Sequence, residues 1–227
     1  MDKRTNHPAE EALLLARMIR QEGRLLHRMA SVYWKLAFHL TRVVEHLPQS
    51  LPKDQRQSVL NFGCGNQFYD NAVNSDLFSV HRFLLNRRRP DIYWTGTSDI
   101  ASLRGHFSDI VCEHVIEHLL PDVVAALFSS LFKVLNRGGK VVVSFPDVQK
   151  ILKGEPTYGF SSSIVSLNSV TYRHGHAFMY DTDIVAELLR TAGFSNVAVT
   201  TLDNAPLQEF LLPGREPESA YVTAEKA

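Results

Sequence analysis

The sequence predicts an α/β protein with a mostly parallel, seven-stranded sheet, helices on both faces and a helical extension ahead of it. Three observations carry this. Short apolar runs alternate with amphipathic stretches from about residue 57 onward. Glycine-rich turns, Gly63-Cys-Gly65 and Gly138-Gly139, punctuate those runs. The stretch before Pro48, by contrast, repeats its apolar residues at helical spacing only.

In chain order, residues 9–47 form the extension, where Leu26, Met29, Tyr33, Leu36, Leu40, Val43 and Leu47 make one helical stripe and Gly23 breaks it into two helices. Packing on the sheet edge is its ordinary role. The aromatic run 32–38 keeps open a lid over a ligand or a homodimer contact. The link 48–54 divides the chain into an extension, 1–50, and a main domain, 51–227. Strands are predicted over about 57–62, 72–76, 91–95, 108–113, 139–145, 195–202 and 218–224. Helices are predicted near 79–88, 120–135 and 181–192, the last closed by Gly193. Ser161-Ser-Ser163 reads as a flexible loop.

The first strand runs straight into Gly63-Cys64-Gly65-Asn66, a turn that tolerates positive φ and brings bare backbone against a ligand. An ordinary tight turn explains Gly-x-Gly equally well when it stands alone. The second strand ends on Asp76-Leu77, and a carboxylate there is placed to accept both hydrogens of a ribose diol. In a parallel sheet, ligands bind beyond the carboxyl ends of the strands, where these residues and Glu113-His114 converge.

Together, Val59-Leu-Asn-Phe-Gly-Cys-Gly65, Asn74-Ser-Asp76, Asp109-Ile-Val-Cys-Glu-His-Val-Ile-Glu-His-Leu119, Leu135-Asn-Arg-Gly-Gly-Lys140 and Ala192-Gly-Phe194 resemble, in order, the motifs of the class I S-adenosylmethionine-dependent methyltransferases, in the small branch with Glu-His-Leu after the fourth strand. The resemblance spans about residues 57–203. It implies a Rossmann-like sheet and S-adenosylmethionine as cofactor, with S-adenosylhomocysteine as product. Gly63, Cys64, Gly65 and Asn66 would then meet the methionine part, Asp76 and Leu77 the ribose, Asp99 and Ile100 the adenine, with Glu113 and His114 beside the donor. A cap of a turn or helix is the other reading of Asp99. The sequence departs from the family pattern at Asn61, usually an acid, at Gln67, usually a glycine, and in a helix between the first two strands cut to a loop.

Two histidine clusters remain. His114-Val-Ile-Glu117-His118 matches a zinc-peptidase signature, in which histidines four apart share a helix face. No further ligand motif supports it, so no metal is assigned and a zinc hydrolase stays a remote alternative. In the resembling family Glu117 and His118 look mainly structural. The second cluster, His174-Gly-His176, follows the fifth strand, in a region that in that family faces the acceptor. Either histidine has the chemistry of a general base near neutral pH, with His114 next in line, or simply bonds loop backbone.

Zero formal net charge, from 24 basic and 24 acidic residues, supplies no global field for nucleic acid or an anionic membrane. A chain of 227 residues that is 44% hydrophobic buries a full core without crosslinks. Its two cysteines, Cys64 and Cys112, read as buried free thiols, and with no apolar leader or membrane span in view we expect a cytoplasmic location. The expected function is methylation of a small-molecule or sugar acceptor at oxygen or nitrogen. A fold-retaining binding or scaffolding protein is the alternative suggested by Asn61 and Gln67.

Overall fold

A computed structural model describes residues 12–18, 32, 35–45, 59–79, 84–85, 87–154, 160–173 and 175–227. Seven strands, β1 (Val59–Phe62), β2 (Ala72–Asp76), β3 (Ile92–Tyr93), β4 (Phe107–Glu113), β5 (Leu135–Pro146), β6 (Ser195–Thr200) and β7 (Ser219–Glu225), form one Rossmann-like sheet. Its order is β3-β2-β1-β4-β5-β7-β6, with β7 antiparallel to both neighbours and the pairs from β3 to β5 parallel. The chain leaves β1 toward β2 and β3, then returns to lay β4 on the other side of β1. In open parallel sheets such a reversal is where a ligand crevice forms, here at the carboxyl ends of β1 and β4.

Helical segments over 12–18 (α1) and 35–44 (α2) precede the sheet. The helices α3 (Pro121–Val134), α4 (Val148–Lys153), α5 (Ser163–Arg173) and α6 (Thr182–Thr191) follow β4 and β5. Proline at its first position starts α3, and its apolar stripe of Val124, Leu127, Phe128, Leu131 and Val134 is buried. Asp181 caps α6, accepting from the Ile184 amide at 2.9 Å, and Gly193 at φ 103° ends it. With Leu60, Phe62, Ile110, Cys112, Val141, Val143 and Val222, these helices build the main core on one sheet face. Full burial of each large apolar side chain there contributes about 1.5–3 kcal/mol.

Strand alternation sends Val111, Val142 and Tyr221 to the other face. There the expected helix between β1 and β2 is indeed replaced by a loop, from Gly63 to Asn71. The β6–β7 link covers this region, burying Leu202, Ala205, Phe210 and Leu211. The Phe210 ring meets Tyr69 of the short loop at 5.1 Å.

Two expectations need correction. Ser163 opens helix α5, so Ser161–Ser163 is not wholly a loop. Serines and β-branched residues lower its intrinsic helix propensity, but Val165, Ser166, Ser169 and Val170 give it a buried stripe. The short α4 also went unpredicted. It rests on Asp147, which is buried, caps Lys150 N at 2.6 Å and accepts from Thr182 N at 3.0 Å. The predicted helix near 79–88 falls largely, and the link 48–54 and the stripe residues Leu26, Met29, Tyr33 and Leu47 wholly, outside the described residues; of the rest of the stripe Leu36 and Val43 are exposed, and the face turned inward carries Ala37, Thr41 and Glu45 instead. Among the described residues no helix is long and apolar enough to cross a membrane.

Candidate active site

Phe62 delivers the chain into a turn with Gly63 at φ 70° and Gly65 at φ 49°. The two glycines serve different ends. A Cβ on Gly63 would stand 2.3 Å from Val115 Cγ2, so the turn is pressed against the segment that follows β4. Among the described residues, a Cβ on Gly65 would meet nothing closer than 4.0 Å. The Cys64 amide donates to Ser75 O at 2.9 Å, which holds the turn beside the end of β2 and therefore beside Asp76. Asp76 Oδ1 accepts from the Leu77 amide at 2.7 Å.

Without a helix, side-chain amides anchor the short loop. Asn61 Nδ2 donates to Gln67 O at 2.7 Å and to Asn74 Oδ1 at 3.1 Å. Asn74 Oδ1 also accepts from Tyr69 N, while its Nδ2 donates to Tyr69 O, Ala72 O and Asp91 Oδ2. An acid at position 61 has no ionised form that can donate these bonds. The departure from the family pattern therefore goes with the lost helix.

At the end of β4, Glu113 points to the β6–β7 link and accepts from Leu212 N at 3.0 Å. Burial raises its carboxyl above the ordinary value, against the opposing pull of that bond and of His114 and Arg215. Burial and neighbouring carboxylates, Glu216 then Glu113, push Tyr221 up to about 12. Cys64 and Cys112 are buried and free, and burial with the charges of Glu117 and Glu113 keeps the Cys112 thiol protonated.

His114 adopts φ 51°, uncommon for a residue with a side chain, and its amide continues the ladder to Ser144 O at 2.9 Å. Its ring bridges two groups, with Nε2 2.8 Å from Ser219 Oγ and Nδ1 3.1 Å from Glu117 Oε1. The latter is a close contact rather than an aligned hydrogen bond, since neither Glu117 oxygen has a hydrogen-bond partner among the described residues. Burial opposes ionisation of Glu117, but His114, by contact and charge, and then His118 hold its carboxyl below the ordinary value.

Residues 116–118 form one 3-10 turn, not an α-helix, so His114 and His118 do not share a helix face and the peptidase geometry fails. Instead, the loop after α5 folds onto this turn. Glu117 O accepts from Ala177 N at 2.7 Å and Phe178 N at 3.2 Å, and the His118 and His176 rings lie 5.0 Å apart. Tyr180 Oη donates to Leu119 O at 2.9 Å. His174 lies outside the described residues.

The structure thus gathers Gly63, Cys64, Gly65, Asn66, Asp76, Leu77, Glu113 and His114 at adjoining strand ends, with His176 in the loop after α5. It does not bring Asp99 with them. That carboxylate pairs with Arg104 and, at 3.5 Å, with Lys133. Lys133 lies at the C-terminal end of α3, toward the edge of the sheet opposite the crevice. Hydrogen bonding by Arg104 lowers the Asp99 pKa. Ile100 packs against the main core.

A family model described as a methyltransferase domain matches residues 33–199, most of the chain. The chain belongs to this methyltransferase family. No curated protein matches the sequence. Among solved structures, a SAM-dependent methyltransferase and possible histamine N-methyltransferase from Thermotoga maritima is similar at 16% identity, covering 97% of this chain and 100% of that one, with a TM-score of 0.52. A SAM-dependent methyltransferase from Archaeoglobus fulgidus is 13% identical over 86% of this chain and 94% of its own, with a TM-score of 0.50. At such identities the likeness is one of fold.

Within this methyltransferase fold, sequence reasoning missed three supports. Thr41 and Glu45 of the extension fasten strand ends, Thr41 Oγ1 accepting from Phe78 N at 2.7 Å and Glu45 Oε2 from Thr95 N and Oγ1 at 3.0 Å each. Ser219, which opens β7, and Leu212, in the β6–β7 link, have no motif to mark them. The Asn61–Asn74 pair had a signal, the substituted acid, that points to its structural use.

Proposed function

We propose that this methyltransferase moves the methyl group of S-adenosylmethionine to an oxygen or nitrogen of a small-molecule or sugar acceptor, releasing S-adenosylhomocysteine. The observation that carries the reading is the reversal of strand order between β1 and β4, the place where open sheets of this kind bind ligands. A glycine turn lies there, with no described atom closer than 4.0 Å to a Cβ on Gly65 and with Asp76 and Glu113 at adjoining strand ends, inside a chain matched by the family. Residues 51–227 would form the donor-binding unit and 1–50 its helical extension. Backbone around Gly63, Gly65 and Asn66 would receive the methionine part and Asp76 the ribose. Asp99 would have to leave Arg104 to serve adenine.

In the reaction an acceptor lone pair forms a bond to the methyl carbon while the carbon–sulfur bond breaks, its electrons returning to sulfur. The acceptor proton passes to a base or to water. Alignment and water exclusion are the protein's main contributions. His114 is engaged by Ser219 and Glu117, which leaves His176 the better placed of the described histidines to meet the acceptor. The structural use of Asn61 also weakens the suggestion that its departure marks lost catalysis.

Calorimetric titration with S-adenosylmethionine and S-adenosylhomocysteine tests the donor site without the acceptor. Saturable one-to-one binding of both is expected, and binding of neither overturns the reading.

A further inference from the structure

Beside the donor crevice, Glu117, His118 and His176 place their ligating atoms within 4.8 Å of one another. Glu117 is 1% exposed, and its Oε2 lacks any hydrogen-bond partner among the described residues. A buried carboxylate oxygen without a donor is costly unless something cationic meets it. Histidines supply that partner only in part, because His114 touches Oε1 alone, at 3.1 Å.

We propose that these three side chains hold a divalent transition-metal ion of the zinc class. Two imidazoles and one carboxylate suit zinc or its first-row neighbours rather than magnesium or calcium, which prefer oxygen. Ligands about 2.0–2.2 Å from a common ion sit roughly 3–4 Å apart, so the longest gap closes by about 1 Å. Exposed His118 has room to supply that movement. Its Nδ1 stands 3.4 Å from Gly175 O, and a carbonyl only accepts, so Nδ1 carries the proton and Nε2 offers its lone pair to the ion. His114, held by Ser219, braces Glu117 from behind as an outer partner.

Three protein ligands leave at least one coordination position open. With the ion bound, His176 is a ligand rather than a base, and on the proposed methyl-transfer reading the open position takes an acceptor hydroxyl or carboxylate and fixes it before the donor. Ion binding itself does not depend on that reading. The sequence motif had suggested His114, Glu117 and His118 together; the fold replaces His114 with His176, which is remote in sequence.

The test is titration of chelator-treated, full-length protein with Zn2+ by calorimetry, and with Co2+ by visible absorption, before and after His176→Ala and His118→Ala. One ion per chain is expected, with tetrahedral or five-coordinate Co2+ bands, and affinity about 100-fold or more weaker in each variant. S-adenosylhomocysteine is titrated into the same samples. Retained donor binding with lost metal binding identifies the site as separate from the donor crevice, whereas failure of donor binding in wild type tells against the methyl-transfer reading alone. Thermal melting shows that the variants fold, and His39→Ala, on the exposed face of α2, serves as a histidine control. Wild type that binds no ion, or variants that bind it as tightly as wild type, overturns the proposal.

Discussion

Replacing Asn61 with aspartate restores the residue usual in the resembling family and, by the geometry here, should damage the protein. Asn61 is 4% exposed and donates twice, to Gln67 O at 2.7 Å and to Asn74 Oδ1 at 3.1 Å. A carboxylate turns both contacts into oxygen facing oxygen. Loss of two hydrogen bonds costs about 1 kcal/mol each, and the Gln67 carbonyl left without its donor adds about 1–3 kcal/mol. Asn74 Oδ1 retains Tyr69 N, which limits the damage on that side. We therefore expect Asn61→Asp to lose about 3–5 kcal/mol at pH 7, a third or more of the stability of many domains. At this chain length the thermal midpoint should fall by about 10 °C. The introduced carboxyl would have its folded pKa raised above its unfolded value of about 3.9, so the deficit grows as pH rises through that window and shrinks below it. Urea denaturation at pH 4.5 and pH 7 measures both effects. A variant within about 0.5 kcal/mol of wild type at pH 7 would refute the anchoring role.

Other substitutions separate ligand contact from scaffold. Gly63→Ala should destabilise strongly, because its Cβ collides with Val115 at 2.3 Å, whereas Gly65→Ala should cost about 1 kcal/mol of stability for its left-handed φ and lose donor affinity; melting curves and calorimetry compare the pair. Asp76→Ala should weaken donor binding by about 1–3 kcal/mol, and unchanged affinity in the folded variant removes it from the ribose site. Asp99→Ala should leave donor affinity almost unchanged, since its carboxylate is occupied by Arg104 and Lys133; a large loss would show that the pair opens for adenine. Glu113, whose folded pKa lies above its ordinary 4.5, costs stability as pH rises from about 4.5 through that higher value. Glu113→Gln should therefore flatten the melting profile across that interval while keeping an acceptor for Leu212 N.

Much of the fold was legible because local signals agreed with it. β2 was read to its observed ends, and Gly193 marked a real helix end. The placement of the glycine turn and Asp76 at adjoining strand ends was legible for the same reason, since strand-ending motifs place side chains at one edge whatever the partners. Register, however, is written in long-range pairing. No local pattern says that β7 runs antiparallel beside β5, which is what delivers Ser219 to His114. Asp99 shows the converse limit, because its position after β3 was correctly read but its partners come from Arg104 and the far end of α3. His176 joins Glu117 only through backbone bonds between two loops.

The short β1–β2 loop connects these features. Removing a crossover helix leaves Val111, Val142 and Tyr221 exposed on one face of the sheet unless another segment covers them, and the β6–β7 link does so with Leu202, Phe210 and Leu211. Once there, the link touches the glycine loop through Tyr69 and Phe210 and takes hold of Glu113 through Leu212. The glycine loop, Glu113 and the segment beyond β6 are therefore tied together through one small core. Positive φ at Leu207 and His114 marks where the chain bends to make this possible. A helix would have offered a ligand its N-terminal amides and dipole. In its place the loop presents backbone held by Asn61 and Asn74, so ligand-facing geometry depends on two buried side-chain amides rather than on helical hydrogen bonds.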